Sequence, residues 1–234
     1  MPVPFSKLDL PRTDAIVVGS GPNGLSAAIR MAQAGWSVLV LEAAATPGGG
    51  VRSQELTLPG YVHDVCSSVY PLTACSPFLR TLPLKEHGLE WIFPPVALAH
   101  PFDDGSAARL TTSIDETART LGKDGDSYRR LVQKFAQRWE ELLEDLLAPP
   151  RFPHHPFAFA KFGLRAVRSA RALANSCFTT DHGRTFFAGL AAHSMLPLEH
   201  LSTAGFGLTL NISAHAVGWP VVRGGAQQLT QALV

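Results

Sequence analysis

The sequence predicts an α/β fold built on a parallel sheet, and three observations carry that prediction. Ala15, Ile16, Val17 and Val18 form an uninterrupted apolar run, as a central strand covered on both faces of a parallel sheet requires. Gly19, Gly21 and Gly24 then spell G-x-G-x-x-G where that run stops and a helical period begins. A second apolar run, Val38 to Leu41, ends on an acid, Glu42. Strand, glycine turn, helix and strand in that order make a βαβ unit.

Each glycine of the first turn has its own physical reason. Gly19 permits a tight turn, Gly21 lets a pyrophosphate approach the backbone, and Gly24 lets helix and strand pack closely. Leu25, Ala28, Ile29 and Ala32 recur at three- and four-residue spacing, so the helix turns an apolar face to the sheet and its N-terminus to the phosphates. Gly35 ends it. Glu42 stands where a carboxylate accepts hydrogen bonds from an adenosine ribose. A carboxylate there repels a 2′-phosphate, and Ala43 to Ala45 supply no basic group to offset it, which disfavours NADP and leaves FAD and NAD.

A second glycine run follows in A-A-A-T-P-G-G-G-V-R-S, where Gly48, Gly49 and Gly50 allow close backbone approach to a ligand. Arg52 either donates to a phosphate or fixes this loop. A loop leaving the second strand lies at the carboxyl edge of the sheet, where doubly wound folds bind ligands. The candidate cofactor site is therefore Gly19, Ser20, Gly21, Pro22, Asn23 and Gly24, with Glu42, Ala43, Gly48, Gly49, Gly50 and Arg52.

The first motif, P-G-G-G-V-R-S and the following L-P-G-Y-V-H-D-V-C-S-S-V-Y-P-L together resemble the phytoene desaturase-like flavoproteins of the flavin-containing amine oxidoreductase superfamily. The resemblance covers residues 14 to about 72 and returns in G-W-P-V-V-R-G-G-A-Q-Q-L near the C-terminus. It implies a Rossmann-type parallel sheet that binds FAD, an α+β substrate region, and a reaction that desaturates or saturates carbon–carbon bonds of an apolar, isoprenoid-like small molecule. Many members of the superfamily carry an Arg directly after the second glycine; this chain has Gly50 there and Arg52 two positions on. The rival readings are an amine oxidase-like flavoprotein and a non-catalytic nucleotide-binding chain that joins a partner subunit.

Composition is that of an ordinary globular chain: 46% hydrophobic residues and a net charge of +1 over 234 residues, with nothing to suggest a nucleic-acid partner. Cys66, Cys75 and Cys177 form no close pair, so neither a redox disulfide nor a structural zinc is expected, and reduced thiols suit a cytoplasmic setting. The opening residues MPVPFSKLDLPRTD lack the basic patch and apolar block of a secretory leader.

Downstream, short apolar pieces separated by prolines from Gly60 to Pro101 predict strands and loops. Phe102 to Leu110 reads as a hairpin turning at Asp103-Asp104-Gly105, and Ser113 with Glu116 reads as a capping box. Tyr128 to Leu146 traces one apolar helical face with Glu140, Glu141, Glu144 and Asp145 mostly opposite. The proline-rich stretch from Pro149 to Pro156 reads as a surface linker, and its His154-His155 pair lacks helical metal-site spacing.

Residues 157–174 read as a basic amphipathic helix, suited either to peripheral contact with a membrane surface or to core packing with a charged outer face. Helices are expected at about 182–195 and 199–216; the stretch from His200 to Val222 carries no Asp, Glu, Lys or Arg, and its polar residues mark buried core or pocket lining rather than a membrane span. His63, His100, His193, His200 and His215 have acid–base chemistry, although an imidazole in apolar surroundings is most often a hydrogen-bonded core residue. The expected domains are 1–75, the FAD-binding core and glycine loops; 76–222, the substrate region; and 223–234, the start of a helix returning to the first. Because the chain stops in an apolar helical period at Gln231-Ala232-Leu233-Val234 without a cap, the FAD domain is expected to be incomplete at its C-terminus.

Overall fold

The computed structural model describes residues 12–234, so the leader reading on the opening residues falls almost wholly outside the described residues. In chain order these form β1 (Ala15–Val18), α1 (Pro22–Gln33), β2 (Val38–Leu41), β3 (Ser53–Glu55), β4 (Val62–Asp64), α2 (Pro71–Ala74), β5 (Trp91–Ile92), β6 (Val96–Pro101) and β7 (Ala107–Thr111). There follow α3 (Ile114–Thr120), α4 (Gly125–Ala136), α5 (Trp139–Leu146), α6 (Pro156–Ala166), α7 (Ala170–Cys177), α8 (Asp181–Ala191), α9 (Thr203–Ala216), β8 (Val221–Val222) and α10 (Gln227–Leu233). Two compact units emerge. The first comprises the described residues up to Ser68 with Thr81–Trp91 and Val222–Val234, the second Val69–Arg80 and Ile92–Val221. The boundaries read from the sequence lie after 75 and after 222.

In the first unit β1 and β2 run parallel, in register from Ala15 opposite Val38 to Val18 opposite Leu41, with α1 as the crossover. Pro22 at the first helical position and a left-handed Gly35 (φ +87°) fix where α1 starts and stops. The helix buries Leu25 and Ala28. The covered central strand is corrected here: Ile16 is 52% and Val18 82% exposed, and among the described residues β1 pairs only with β2. Alternation along the strand aims Val17 at the helix and its neighbours at the opposite face, where these residues supply no second layer. β3 and β4 form a short antiparallel pair, and α10 packs against α1.

The second unit packs the β6–β7 hairpin and α3 to α9 around one apolar core. The hairpin turns where expected, with Asp104 accepting hydrogen bonds from the Ser106 amide and hydroxyl. Ser113 caps α3 by accepting from the Glu116 amide; Glu116 answers Thr111 rather than completing a reciprocal box. The single face predicted over 128–146 is two helices, α4 and α5, which keep their apolar stripe in register through a break at Gln137–Arg138. The helix predicted over 157–174 is likewise two, α6 and α7, broken at Val167–Ser169, with Ser169 capping the second through the Ala172 amide. Nor does α6 have a clean polar outer face: Phe157 is 88% and Leu164 75% exposed. The uncharged stretch becomes α9, which buries most of its surface between Thr203 and Ala214 and leaves Phe206 half exposed. Among the described residues no helix is long and apolar enough to cross a membrane.

Candidate functional site

The site is built from two glycine loops of the first unit that meet backbone to backbone. Gly19 leaves β1 at φ +96°, while its amide still donates to the Leu41 carbonyl (2.7 Å), so the turn stays pinned to β2. Ser20 is 3% exposed and donates from both its amide and its hydroxyl to Glu42 Oε2 (2.8 and 2.5 Å). The other carboxylate oxygen accepts from the Ala44 amide (2.8 Å). The Ser20 hydroxyl first, then the amides, stabilise the anion and pull the Glu42 carboxyl down to about 2. Glu42 thus joins the end of β2 to the first loop and remains exposed at its outer side.

Gly21 caps α1 with no side-chain partner, and no acid lies in the first turn, so the positive end of the helix is open to an anion. Pro22 and Asn23 occupy that first turn, Asn23 at the surface. Gly24 has no alternative: a Cβ there would lie 2.1 Å from the Gly19 carbonyl oxygen.

The second loop repeats this reasoning. Gly48 (φ +130°) donates its amide to the Ser20 carbonyl (3.0 Å), bridging the loops. Gly49 (φ +56°) lies so close to Gly21 that a Cβ would come 3.0 Å from its Cα. Of its two sequence-read roles, Arg52 performs the loop-fixing one, its Nε donating to the Gly49 carbonyl (2.6 Å). The Gly50 carbonyl accepts from the Ser67 amide and hydroxyl, and exposed Ala43 lies beside Glu42. All twelve residues read from the sequence therefore lie on or beside this pair of loops. The backbone-lined surface and uncapped helix end fit a dinucleotide pyrophosphate, and the exposed carboxylate fits a ribose.

Sequence reasoning missed the residues that support the second loop from behind. Asp64 Oδ1 accepts from Ser53 Oγ and the Ala226 amide (both 2.7 Å), Ser53 Oγ accepts from the Gln227 amide (3.1 Å), and buried Thr230 donates its hydroxyl to the Val51 carbonyl (2.7 Å). These partners are separated by up to 179 positions, beyond the reach of any local pattern. His63, adjacent to Asp64, bonds instead to Thr57 Oγ1 (2.8 Å), so the two make no catalytic pair.

The second unit carries two buried polar centres and an apolar cavity. Asp124, 1% exposed, accepts from the amide and hydroxyl of both Thr179 and Thr180 at 2.5–2.9 Å, ahead of α8. Burial opposes its ionisation, but the four donors outweigh that and leave its carboxyl below the ordinary range. In the other centre His215 Nδ1 meets the Thr112 carbonyl (3.2 Å), its Nε2 meets the Tyr128 hydroxyl, and that hydroxyl meets Asn211 Oδ1 (2.5 Å). Burial drives the His215 imidazole down to about 4 and the Tyr128 phenol well up. With both ring nitrogens engaged, His215 is structural. His100 packs its ring on Gly189, His193 stacks edge-on to Trp219, and His200 is exposed. The cavity, about 510 Å³, is lined by Leu72, Leu146, Phe162, Phe206 and Leu210 with His193 at its wall. Among the described residues no cluster of three His, Cys, Asp or Glu side chains can hold a metal.

Residues 17–82 match the family model described as an NAD(P)-binding Rossmann-like domain. All-trans-zeta-carotene desaturase of Myxococcus xanthus is 34% identical over 54% of this chain and 24% of its own length. Hydroxyneurosporene desaturase of Rhodobacter capsulatus is 30% identical over 59% of this chain and 29% of its own. A putrescine oxidase structure superposes with a TM-score of 0.59 at 23% identity, covering 94% of this chain and 48% of the oxidase, which shows a shared fold. The chain thus spans about half the length of that structure, and its alignments reach little more than a quarter of the curated relatives.

Proposed function

We propose that this chain, a phytoene desaturase-like member of the flavin-containing amine oxidoreductase superfamily, binds FAD on its paired glycine loops and serves an oxidoreductase that adds or removes hydrogen across carbon–carbon bonds of an apolar, isoprenoid-like substrate. The observation that carries this reading is the junction of Gly21 with Gly49, backed by Glu42: a backbone cradle next to an uncapped helix end and a carboxylate held ionised. When bound, FAD supplies the two-electron hydride chemistry that no side chain here provides. The α1 N-terminus and the amides of the two loops hold the pyrophosphate, Glu42 accepts from the ribose, and Arg52 keeps the second loop in shape. The apolar cavity of the second unit supports an apolar substrate, since its wall offers little to bind a cation or anion.

The purified protein is expected to carry or take up a chromophore absorbing in the blue, which bound NAD lacks. Anaerobic reduction of that flavin by a polyene, and not by an amine, is the expected outcome. Reduction by amines alone would transfer the assignment to the amine oxidases. The same reading includes a membrane-facing surface on α6, where exposed Phe157 and Leu164 flank Lys161. Flotation with anionic lipid vesicles is expected for the native chain and reduced for a Phe157→Ser, Leu164→Ser double variant; equal flotation would remove α6 from that role.

A further inference from the structure

The second glycine loop does not hold itself. Between Pro47 and Ser53 its own bonds are few: the Val51 amide to the Gly48 carbonyl, and the Arg52 guanidinium to the Gly49 carbonyl. Ser67 and Val65 hold the Gly50 and Arg52 carbonyls, and the C-terminal segment of the same unit takes Pro47, Gly48, Val51 and Ser53. Thr230, 1% exposed, donates to the Val51 carbonyl (2.7 Å), and a Cβ on Gly48 would lie 2.9 Å from the same hydroxyl oxygen. Gln227 reaches the Pro47 carbonyl through its side chain and Ser53 Oγ through its amide. The Ala226 amide closes on Asp64, which in turn holds Ser53. Gly225 (φ +93°) makes this approach feasible, because a Cβ there would fall 2.7 Å from Ser53 Oγ.

We infer that residues 225–230 form a clamp that presses the second glycine loop onto the first, with Thr230 and the Ser53–Asp64 pair as positioning residues for the dinucleotide site. The contacts run in one direction: Thr230 fixes Val51 and abuts Gly48, Gly48 bonds to Ser20, and Ser20 is bonded to Glu42. None of the clamp residues needs to touch the cofactor. Each acts through backbone that does, so slack at Thr230 displaces the amides facing the pyrophosphate. A misplacement well under a van der Waals radius suffices, since the Gly21–Gly49 contact leaves no room for relaxation inward.

The inference rests on the dinucleotide reading, and its test separates the two. Thr230→Val keeps shape and removes the hydroxyl; Thr230→Ser keeps the hydroxyl. Hydrogen exchange of the Gly48 and Val51 amides in the full chain reads the clamp without any ligand, and FAD titration reads its effect on the site. Thr230→Val is expected to speed exchange at both amides and to weaken FAD about fivefold or more, the equivalent of one lost buried hydrogen bond. Thr230→Ser is expected to restore both. A folded Thr230→Val with native exchange and native affinity would overturn the clamp, and faster exchange with unchanged affinity would overturn its positioning role. A native chain that binds neither FAD nor ADP would overturn the cofactor reading, leaving the exchange result to decide the clamp alone. If Thr230→Val does not fold, Ser53→Ala, which removes the acceptor of the Gln227 amide, is measured in the same way with the same expected directions.

Discussion

The glycine cradle of the first unit and the helical core of the second place carboxylates in opposite surroundings and reach the same result. Glu42 is exposed, yet three donors at its two oxygens hold it ionised to about pH 2. Asp124 is buried, and its four donors outweigh the burial that opposes its charge. In the cradle the donors shape a surface that a ligand completes; in the core they leave no valence open. An ionised acid by itself therefore says little about function, whereas an ionised acid with an exposed side does.

The comparison breaks first, and most severely, at Asp124. Asp124→Ala strands the amides and hydroxyls of Thr179 and Thr180 in a dry site, and a loss of about 3–5 kcal/mol of stability is expected in urea unfolding. FAD affinity of the remaining folded protein should be native, because Asp124 belongs to the second unit.

Next in size is the pH response of His215. Its folded pKa of about 4 lies below the ordinary 6.5, so the folded state is favoured in full above pH 6.5 and loses that advantage as pH falls towards 4. The loss is about 2–3 kcal/mol, allowing for partial exposure of the ring. The urea midpoint of the native chain should fall over that interval more steeply than that of His215→Gln; parallel curves would remove His215 as the cause.

The cradle responds in binding. Glu42→Lys removes the ribose acceptor and sets a cation against the Ser20 amide, and FAD affinity is expected to fall about ten- to a hundredfold. Unchanged affinity in a titration would mean that Glu42 does not meet the ribose. Because the depressed carboxyl contributes above its ordinary 4.5 and fails only as pH falls through about 2, native affinity should stay level from about pH 7 to pH 5. The smallest expected effect is Ser113→Ala, which uncaps α3 and costs about 1 kcal/mol in the same unfolding experiment, with no change in FAD binding.

The cradle was legible because its chemistry is local: fewer than 40 positions separate Gly19 from Arg52, and each glycine is dictated by its own turn or contact. The hairpin and the Ser113 cap were legible for the same reason. The break between α4 and α5 was not, because Trp139 continues the apolar stripe of Tyr128 to Phe135 after the break. Asp124 and Thr230 were invisible for another reason: their partners lie 55 and 179 positions away, and Thr, Ser and Asp at single sites give no periodic signal. Exposure of Ile16 and Val18 escaped prediction because an apolar run states a strand's preference for cover, not the presence of the covering layer.

The buried trio of Asn211, Tyr128 and His215 must also have a direction. A carbonyl can only accept, so Thr112 requires the imidazole hydrogen on Nδ1 and leaves Nε2 as an acceptor. The single Tyr128 hydrogen is then committed to His215, and the atom of Asn211 facing the phenol has to be its amide nitrogen. Turning the amide about its axis achieves this: the Asn211 nitrogen, otherwise without an acceptor among the described residues, donates to the phenol oxygen, and the amide oxygen takes the nitrogen's former place. Donation then runs from Asn211 through Tyr128 and His215 to Thr112, and protonating the imidazole reverses its first two links: His215 donates to Tyr128, Tyr128 to Asn211, and the amide turns back. The order of this row of dipoles is thus tied to the charge of one imidazole, which burial keeps neutral.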